Sequence, residues 1–304
     1  MTLRVLVTGA GGFVCSAIAR GLADVGHHVI ATDAVFDTET ARRLAELRRI
    51  EAPLPEALAA LTGTAPDAVI HGAAITAAPD SSGLTRAAHL RANTDLLTAA
   101  LDHARSAGAR RFLFLSSSGI FGGARGKTLT EATLPTATDP YPAAKRAGEI
   151  LVAGAAEPGF ETASLRLGAI FGPHEAARPS RPTLSPLARM IAAARETGTV
   201  RVDSPGIRRD WTFAPDLARA LDTLLTHPGP LPPLLHVTSA EIVSDRALAG
   251  MLAERVPGTR IVAADTGPAG TPPMVSAVAS PLDGFAWTPL ADALDGMLAT
   301  EPAP

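Results

Sequence analysis

Two side chains are almost missing from this chain. Its 304 residues hold one tyrosine, Tyr141, and two lysines, Lys127 and Lys145, although Lys and Arg together number 27. A single cysteine, Cys15, excludes an internal disulfide and disfavours a zinc site, so no metal is expected. No apolar run reaches the roughly 18 residues of a membrane span, and the chain enters a strand pattern at once, without a charged-then-apolar leader. A cytoplasmic protein without membrane contact is expected. The formal net charge is −3 and no run of like charge marks a tail, which removes any general attraction for nucleic acid. Aromatic residues make up only 4% beside abundant Ala, Arg, Pro and Gly, the kind of bias a GC-rich genome produces, and it weakens arguments resting on any one alanine or proline. With 46% hydrophobic residues, the chain can fill the core of one large domain, with or without a smaller appendage.

Against that background the motif Tyr141-Pro142-Ala143-Ala144-Lys145 stands out. A chain that uses arginine for nearly every basic residue yet keeps a lysine four places after its only tyrosine points to a task for an ammonium that a guanidinium cannot do. Residues i and i+4 share a helix face, and a fixed positive charge beside a phenol lowers its pKa, making Tyr141 a proton donor or acceptor near neutrality. Pro142 suits the first helical turn, where its missing N–H costs nothing. The bland alternative, two exposed residues on an ordinary helix, is weakened by what precedes them.

Leu3-Arg4-Val5-Leu6-Val7 is an apolar run suited to a strand buried on both faces. It leads into Thr8-Gly9-Ala10-Gly11-Gly12-Phe13-Val14-Cys15 and then a helix pattern, so that backbone N–H groups and the positive helix end converge where a phosphate could sit. A second strand, His28-Val29-Ile30-Ala31-Thr32-Asp33, ends in an acid about 20 residues beyond the glycines, the spacing at which a carboxylate accepts from ribose hydroxyls. The alternative for Asp33 is a helix cap or turn residue. A helix over 38–49, a short strand over 49–52, a helix over 55–61 and a strand over 68–74 follow, the last running through His71 and Gly72 into Ala73-Ala74, a small-residue turn that lets a flat cofactor approach. His71, ending a buried strand, reads as a packed core residue. A helix over 85–107 carries Asn93 on its apolar side, and a buried amide needs partners. The strand Arg111-Phe112-Leu113-Phe114-Leu115 then ends in Ser116-Ser117-Ser118, hydroxyls at the crevice edge of a βαβ array.

Glycine loop, acid, small-residue turn, hydroxyl and Tyr-x-x-x-Lys in this order resemble the extended short-chain dehydrogenase/reductase family, the group that includes nucleotide-sugar epimerases and dehydratases. The resemblance is strong to about Pro173 and returns at Arg209-Asp210-Trp211-Thr212-Phe213-Ala214-Pro215-Asp216 and Trp287-Thr288-Pro289. It implies a doubly wound parallel α/β sheet (Rossmann) over residues 1–172, rejoined at about 207–238, with a smaller substrate-binding domain from 173–206 and 239–304. It implies catalysis by Ser117, Tyr141 and Lys145, with Ser116 and Ser118 still open as the hydroxyl. NAD would lie against Gly9, Gly11, Gly12, Phe13, Val14, Asp33, Ala73, Ala74, Asn93, Tyr141, Lys145, Leu167 and Ile170. Substrate would meet Ser117, Ser118, Thr76, Arg178 and Arg209, with Arg181 close by. Asn93 matches an asparagine that supports the active-site water and lysine in many members. A homodimer through the helices 85–107 and 142–155 is also implied.

Three departures from the family pattern stand out. Cys15 replaces the third glycine, as a small buried residue or, at a helix N-terminus, a reactive thiolate. Ala52-Pro53-Leu54 offers no carboxylate to adenine. Ser118-Gly119 stands where the dehydratases carry Asp-Glu, which argues against elimination. The expected activity is hydride transfer to or from a hydroxyl or ketone carbon of a polar, sugar-derived small molecule. A nucleotide-sugar 4-epimerase is the alternative, weakened by the absence of an Arg-Pro-Gly-Asp type segment, where 265–270 stands instead. A regulator that binds NAD without chemistry would be expected to have lost Tyr141 or Lys145, and both are kept.

Asp33 sets the cofactor choice: a carboxylate that accepts from both ribose hydroxyls repels a 2′-phosphate, and Arg42 and Arg43 lie a helical turn or more beyond it. NADH is therefore expected to bind more tightly than NADPH in side-by-side titrations. Tighter NADPH binding, or an Asp33→Ala variant with unchanged NADH affinity, would remove Asp33 from that role.

Overall fold

The computed structural model describes residues 1–178, 183–265, 267 and 270–300; Arg181 and parts of the 265–270 segment lie outside the described residues. The first half alternates strand and helix: β1 (Arg4–Thr8), α1 (Phe13–Asp24), β2 (His28–Asp33), α2 (Thr38–Arg43), β3 (Arg48–Glu51), α3 (Leu54–Ala59), β4 (Ala68–His71), α4 (Pro79–Ser82), α5 (Arg86–Ser106), β5 (Arg111–Ser117), α6 (Pro140–Gly154) and β6 (Glu161–Leu167). The second half adds β7 (Ala169–Phe171), α7 (Pro186–Thr197), β8 (Thr199–Val202), β9 (Arg208–Phe213), α8 (Ala214–Thr226), β10 (Leu234–Val237), β11 (Ile242–Ser244), α9 (Asp245–Arg255), β12 (Arg260–Ala263) and α10 (Leu290–Thr300).

Seven strands form one parallel sheet in the order β10-β6-β5-β4-β1-β2-β3. This is the doubly wound arrangement the sequence implies, with the strand order reversing between β1 and β4, where such folds bind ligands at the carboxyl ends of the strands. Alternate residues of each strand feed two cores. Val5 and Val7 face α1 and α8 with Ile18, Leu22, Leu217 and Leu221, while Leu6 faces α3 and α5 with Leu58, Leu97 and Leu101. Burial on both faces explains why β1 reads as a continuous apolar run.

The smaller domain is built around a three-stranded sheet, β11-β9-β7, and a β12-β8 pair. Its separate core holds Phe171, Leu187, Met190, Trp211, Leu248, Leu252 and Leu294. Two boundaries differ from the sequence reading. The helix expected over 38–49 ends at Arg43, because 48–51 pairs in parallel with β2 and strand pairing overrides the local helical pattern. The return to the large sheet, expected at about 207, starts with α8 at Ala214, because β9 buries Trp211 in the small core and pairs Ala169 with Trp211 across β7.

Cys15 is accommodated by its neighbour. A Cβ placed on Gly72 would lie 2.2 Å from Cys15 Sγ and 3.1 Å from Leu115 Cδ1, so the volume gained at the helix start is balanced by a missing side chain at the end of β4. Burial, with Asp33 adding, pushes the thiol up to about 12, so Cys15 is a packed thiol and not a reactive thiolate. Gly72→Ala should therefore cost about 1–3 kcal/mol by overpacking. In chemical denaturation Cys15→Ala should recover most of that loss in the double variant; full additivity of the two changes would show that they do not share the space.

Candidate active site

The glycine turn is shaped for a dinucleotide. Gly9 has φ +77°, and a Cβ there would come within 2.6 Å of Ala73 N, so the turn after β1 and the turn after β4 are close enough that only glycine fits. A Cβ on Gly11 would strike Val35 O at 2.1 Å. α1 starts at Gly12 with no side chain capping it and no acid in its first turn, which suits a pyrophosphate at the helix end. Asp33 Oδ2 accepts from Gly11 N at 2.8 Å. Burial raises its pKa above the usual carboxylate value, opposed by the N–H groups of Val35, Gly11 and Ala34 and by the charge of Arg178. Glu51 pairs across from Asp33 at the end of β3, and its Oε1 accepts from Phe36 N at 3.5 Å, so a carboxylate stands one residue before the 52–54 segment. These residues fit NAD.

His71 meets a buried hydroxyl and Asn93 grips backbone. Thr8 Oγ1 lies 2.8 Å from His71 Nδ1 and accepts from Ala73 N at 3.4 Å, so one hydroxyl ties the end of β4 to the turn that follows it. Burial, with Lys145 adding, holds His71 down to about 3, so it is a neutral core residue stacked between Phe112 and Phe114. The Asn93 amide accepts from Ile75 N at 2.8 Å and donates to Ile75 O at 3.2 Å, gripping the loop that carries Ala73, Ala74 and Thr76. Its other described partners are His89 O at 3.1 Å and His89 Nδ1 at 3.3 Å, one turn back on α5, and not Lys145.

At the carboxyl end of β5 the three serines separate. Ser116 Oγ donates to Glu149 Oε1 at 2.6 Å and is buried, so it is not available to substrate. Strand alternation turns Ser117 the other way, and its Oγ accepts from Gly119 N at 3.1 Å. A Cβ on Gly119 would lie 3.3 Å from Ser117 Oγ and 3.8 Å from Pro142 Cγ, so this hydroxyl faces the start of α6. Ser118 begins the 3-10 turn that follows. Tyr141 is the second residue of α6, and Lys145 Nζ sits one turn on, 5.8 Å from the Tyr141 ring centroid, 4.5 Å from that of Phe114 and 2.7 Å from Leu115 O. Lys145 is buried, and that burial lowers its pKa to about 8, against the pull of Cys15 and Glu149.

Beneath these groups runs a charge network that sequence reasoning missed. Arg166 donates to both oxygens of Glu149 at 2.9 and 2.8 Å, and both side chains are largely buried. The signal was present, since Tyr141, Lys145 and Glu149 continue one i, i+4 helix face. The Glu131 carboxylate accepts from His236 N, Ser276 Oγ and Ala277 N at 2.8–2.9 Å; its N–H partners outweigh burial and hold it below the usual range. Asp210, buried among neutral donors that include Met274 N and Thr238 Oγ1, is pushed up to about 6.

The expected substrate arginines part company. Arg209 is held by Asp245 at 2.9 and 3.0 Å and lines a cavity of about 710 Å³ between α7, β8 and β12. Four arginines (Arg189, Arg201, Arg209 and Arg260) against Asp203 and Asp245 give its wall two excess positive charges. Arg178 is elsewhere: it binds Asp37 Oδ2 at 2.6 Å and Thr40 Oγ1 at 2.8 Å at the start of α2, on the Asp33 side. The carboxylate of Asp37 draws it to the cofactor end instead of the substrate end.

The family model for the NAD-dependent epimerase/dehydratase family matches residues 5–234, and the chain belongs to that family. An uncharacterised UDP-glucose epimerase of Bacillus subtilis, YtcB, is 26% identical over 256 residues, covering 80% of this chain and 78% of the relative. The solved structure of MoeE5 with UDP-glucuronic acid and NAD is 27% identical, with a TM-score of 0.78 over 97% of this chain and 98% of the other. The MoeE5 complex with UDP-glucose and NAD aligns at 0.74 over 97% of each chain. A UDP-glucose 4-epimerase of Thermotoga maritima, 20% identical, shares the fold at 0.80 over 98% of each chain. The protein is an NAD-dependent enzyme of the extended short-chain dehydrogenase/reductase type.

Lys145 gives the site a pH signature. Its folded pKa of about 8 lies below its ordinary 10.5, so between those values the unfolded chain holds more protons and folding stability rises with pH. This contribution is complete above pH 10.5 and is lost as pH falls through 8. Wild-type denaturation free energies minus those of Lys145→Met should climb by up to about 1.4 kcal/mol per pH unit across that window. A flat difference would show that Lys145 is not buried as a titrating amine.

Proposed function

We propose that the protein oxidises a ring hydroxyl of a nucleotide sugar and then reduces the resulting ketone from its other face, so that the net reaction is epimerisation. The observation that carries this reading is the buried Lys145 ammonium beside the Tyr141 ring at the strand end bearing Ser117. With its pKa near 8 the amine is still cationic at neutral pH, and that charge favours the phenolate of Tyr141. Tyr141 takes the hydroxyl proton, Ser117 holds the oxygen in line, and the proton returns from Tyr141 when the ketone is reduced. Bound NAD supplies the hydride acceptor. No carboxylate stands at Ser118 or Gly119 to drive elimination.

The arginine-walled cavity supports the nucleotide sugar as substrate class. Its two excess positive charges match a diphosphate, and they come from α7, β8, β9 and β12 instead of an Arg-Pro-Gly-Asp segment. They offer a diphosphate a source of positive charge other than that segment. The names of the similar proteins, a UDP-glucose epimerase and an enzyme solved with UDP-sugars, support the same class. A homodimer in the cytoplasm belongs to this reading. Ile150, 71% exposed, and Leu151, 38% exposed, give α6 an apolar outer face suited to a second copy, and sedimentation velocity is the check.

Incubation with UDP-glucose or UDP-glucuronic acid should give the epimer without accumulation of NADH; stoichiometric NADH would instead identify a net dehydrogenase. Tyr141→Phe should lower kcat by a factor of about 10² or more while NADH affinity changes little, because the change removes a proton route and almost no contact area. A Tyr141→Phe enzyme with most of its activity would take Tyr141 out of the mechanism.

A further inference from the structure

We propose that Arg178 is a positioning residue that fastens a strap across the cofactor cleft, retaining the dinucleotide between turnovers. This rests on the cofactor and mechanism given above and adds a device to them. The strap is the segment leaving β7. Its start lies on the first turn of α8, where a Cβ on Gly172 would touch Ala214 Cβ at 3.0 Å and Pro215 Cδ at 3.4 Å. His174 then takes a left-handed conformation, φ +64°, and lies 3.7 Å from Glu39 of α2. Glu175 accepts from Ser185 N at 2.8 Å and Ser185 Oγ at 2.6 Å, fixing the strap to the residue that caps α7 in the smaller domain. Arg178, its side chain 15% exposed, ends the described stretch on Asp37 and Thr40.

These anchors lie on opposite sides of α1. Ile18 and Leu22 of α1 share a core with Leu217 and Leu221 of α8, while Arg20 reaches Glu46 just after α2. α1 packs directly on α8, and the strap runs from the first turn of α8 to the first turn of α2 within the roughly 21 Å that six residues can reach, on the side of the glycine turn and the N-terminal end of α1, where the pyrophosphate would bind. Asp37 does two jobs at the far anchor: Oδ1 caps α2 through Thr40 N at 2.7 Å, and Oδ2 holds Arg178. The charge of Arg178 also reaches the Asp33 carboxylate that faces the ribose. The same tie therefore joins the chain of the smaller domain to the adenosine end of the cleft. An enzyme that returns its cofactor to the starting state in every turnover gains from such a tie, because NAD has no need to leave.

The test is stopped-flow NADH fluorescence on wild type, Arg178→Met and Asp37→Asn. Asparagine keeps the capping oxygen of Asp37 and removes the ion pair, so it separates the tie from the helix cap. In both variants the NADH dissociation rate should rise about tenfold, the loss expected for one charge-assisted contact, with the association rate undiminished. Circular dichroism and thermal melting establish that each variant is folded. Dissociation within about twofold of wild type in folded variants overturns the strap, and so does acceleration in Arg178→Met alone, which would make Arg178 a direct cofactor contact. Wild type that fails to bind NADH removes the cofactor reading and the strap together; wild type that binds, with unaltered variants, removes only the strap.

Discussion

The site depends on how one ammonium is buried. Lys145 has a single described hydrogen-bond acceptor, the Leu115 carbonyl, and otherwise meets the faces of Phe114 and Tyr141. Stripping water from a cation is costly, and here the cost appears as a pKa lowered to about 8. The arrangement works because the charge is not left alone: Glu149 lies one turn further along α6, and Arg166 fixes Glu149 from β6. Loss of the lysine would remove the cation beside the Tyr141 ring and leave Glu149 with Arg166 and Ser116.

A second buried carboxylate chain carries the site into the smaller domain. Glu131 binds the backbone of β10 and the 276–277 turn, Asp210 binds Met274 N, and Leu129 exchanges backbone bonds with the same C-terminal segment. The loop following β5, the strand carrying Arg209 and the C-terminal segment are thereby tied together. Burying these acids is tolerable for Glu131, whose N–H donors outweigh desolvation, and less so for Asp210, whose pKa climbs to about 6. These polar bonds, with the buried cluster of Ile120, Phe121, Leu129 and Met274, join the loop after β5 to the C-terminal segment.

The places where sequence reading succeeded have local causes. The glycine turn, Asp33 and the Tyr141–Lys145 spacing each express a constraint acting over a few residues: a left-handed turn, a strand end, a helix face. Its failures involve partners distant in sequence. Residues 44–47 look helical until β3 pairs with β2, and nothing local to Arg178 tells that its side chain is held by Asp37, far back in the chain. Cys15 could be read as structural or reactive because the compensating residue, Gly72, lies on another strand.

The sequence by itself determined the class of fold, the glycine turn and the shared helix face of Tyr141 and Lys145, because alternation of buried strands, glycine conformations and the i, i+4 spacing are written in neighbouring residues. Only the tertiary structure decided that Ser116 is taken by Glu149, and where the arginines go, since guanidinium groups are long, mobile and directed by whichever carboxylate folding brings within reach.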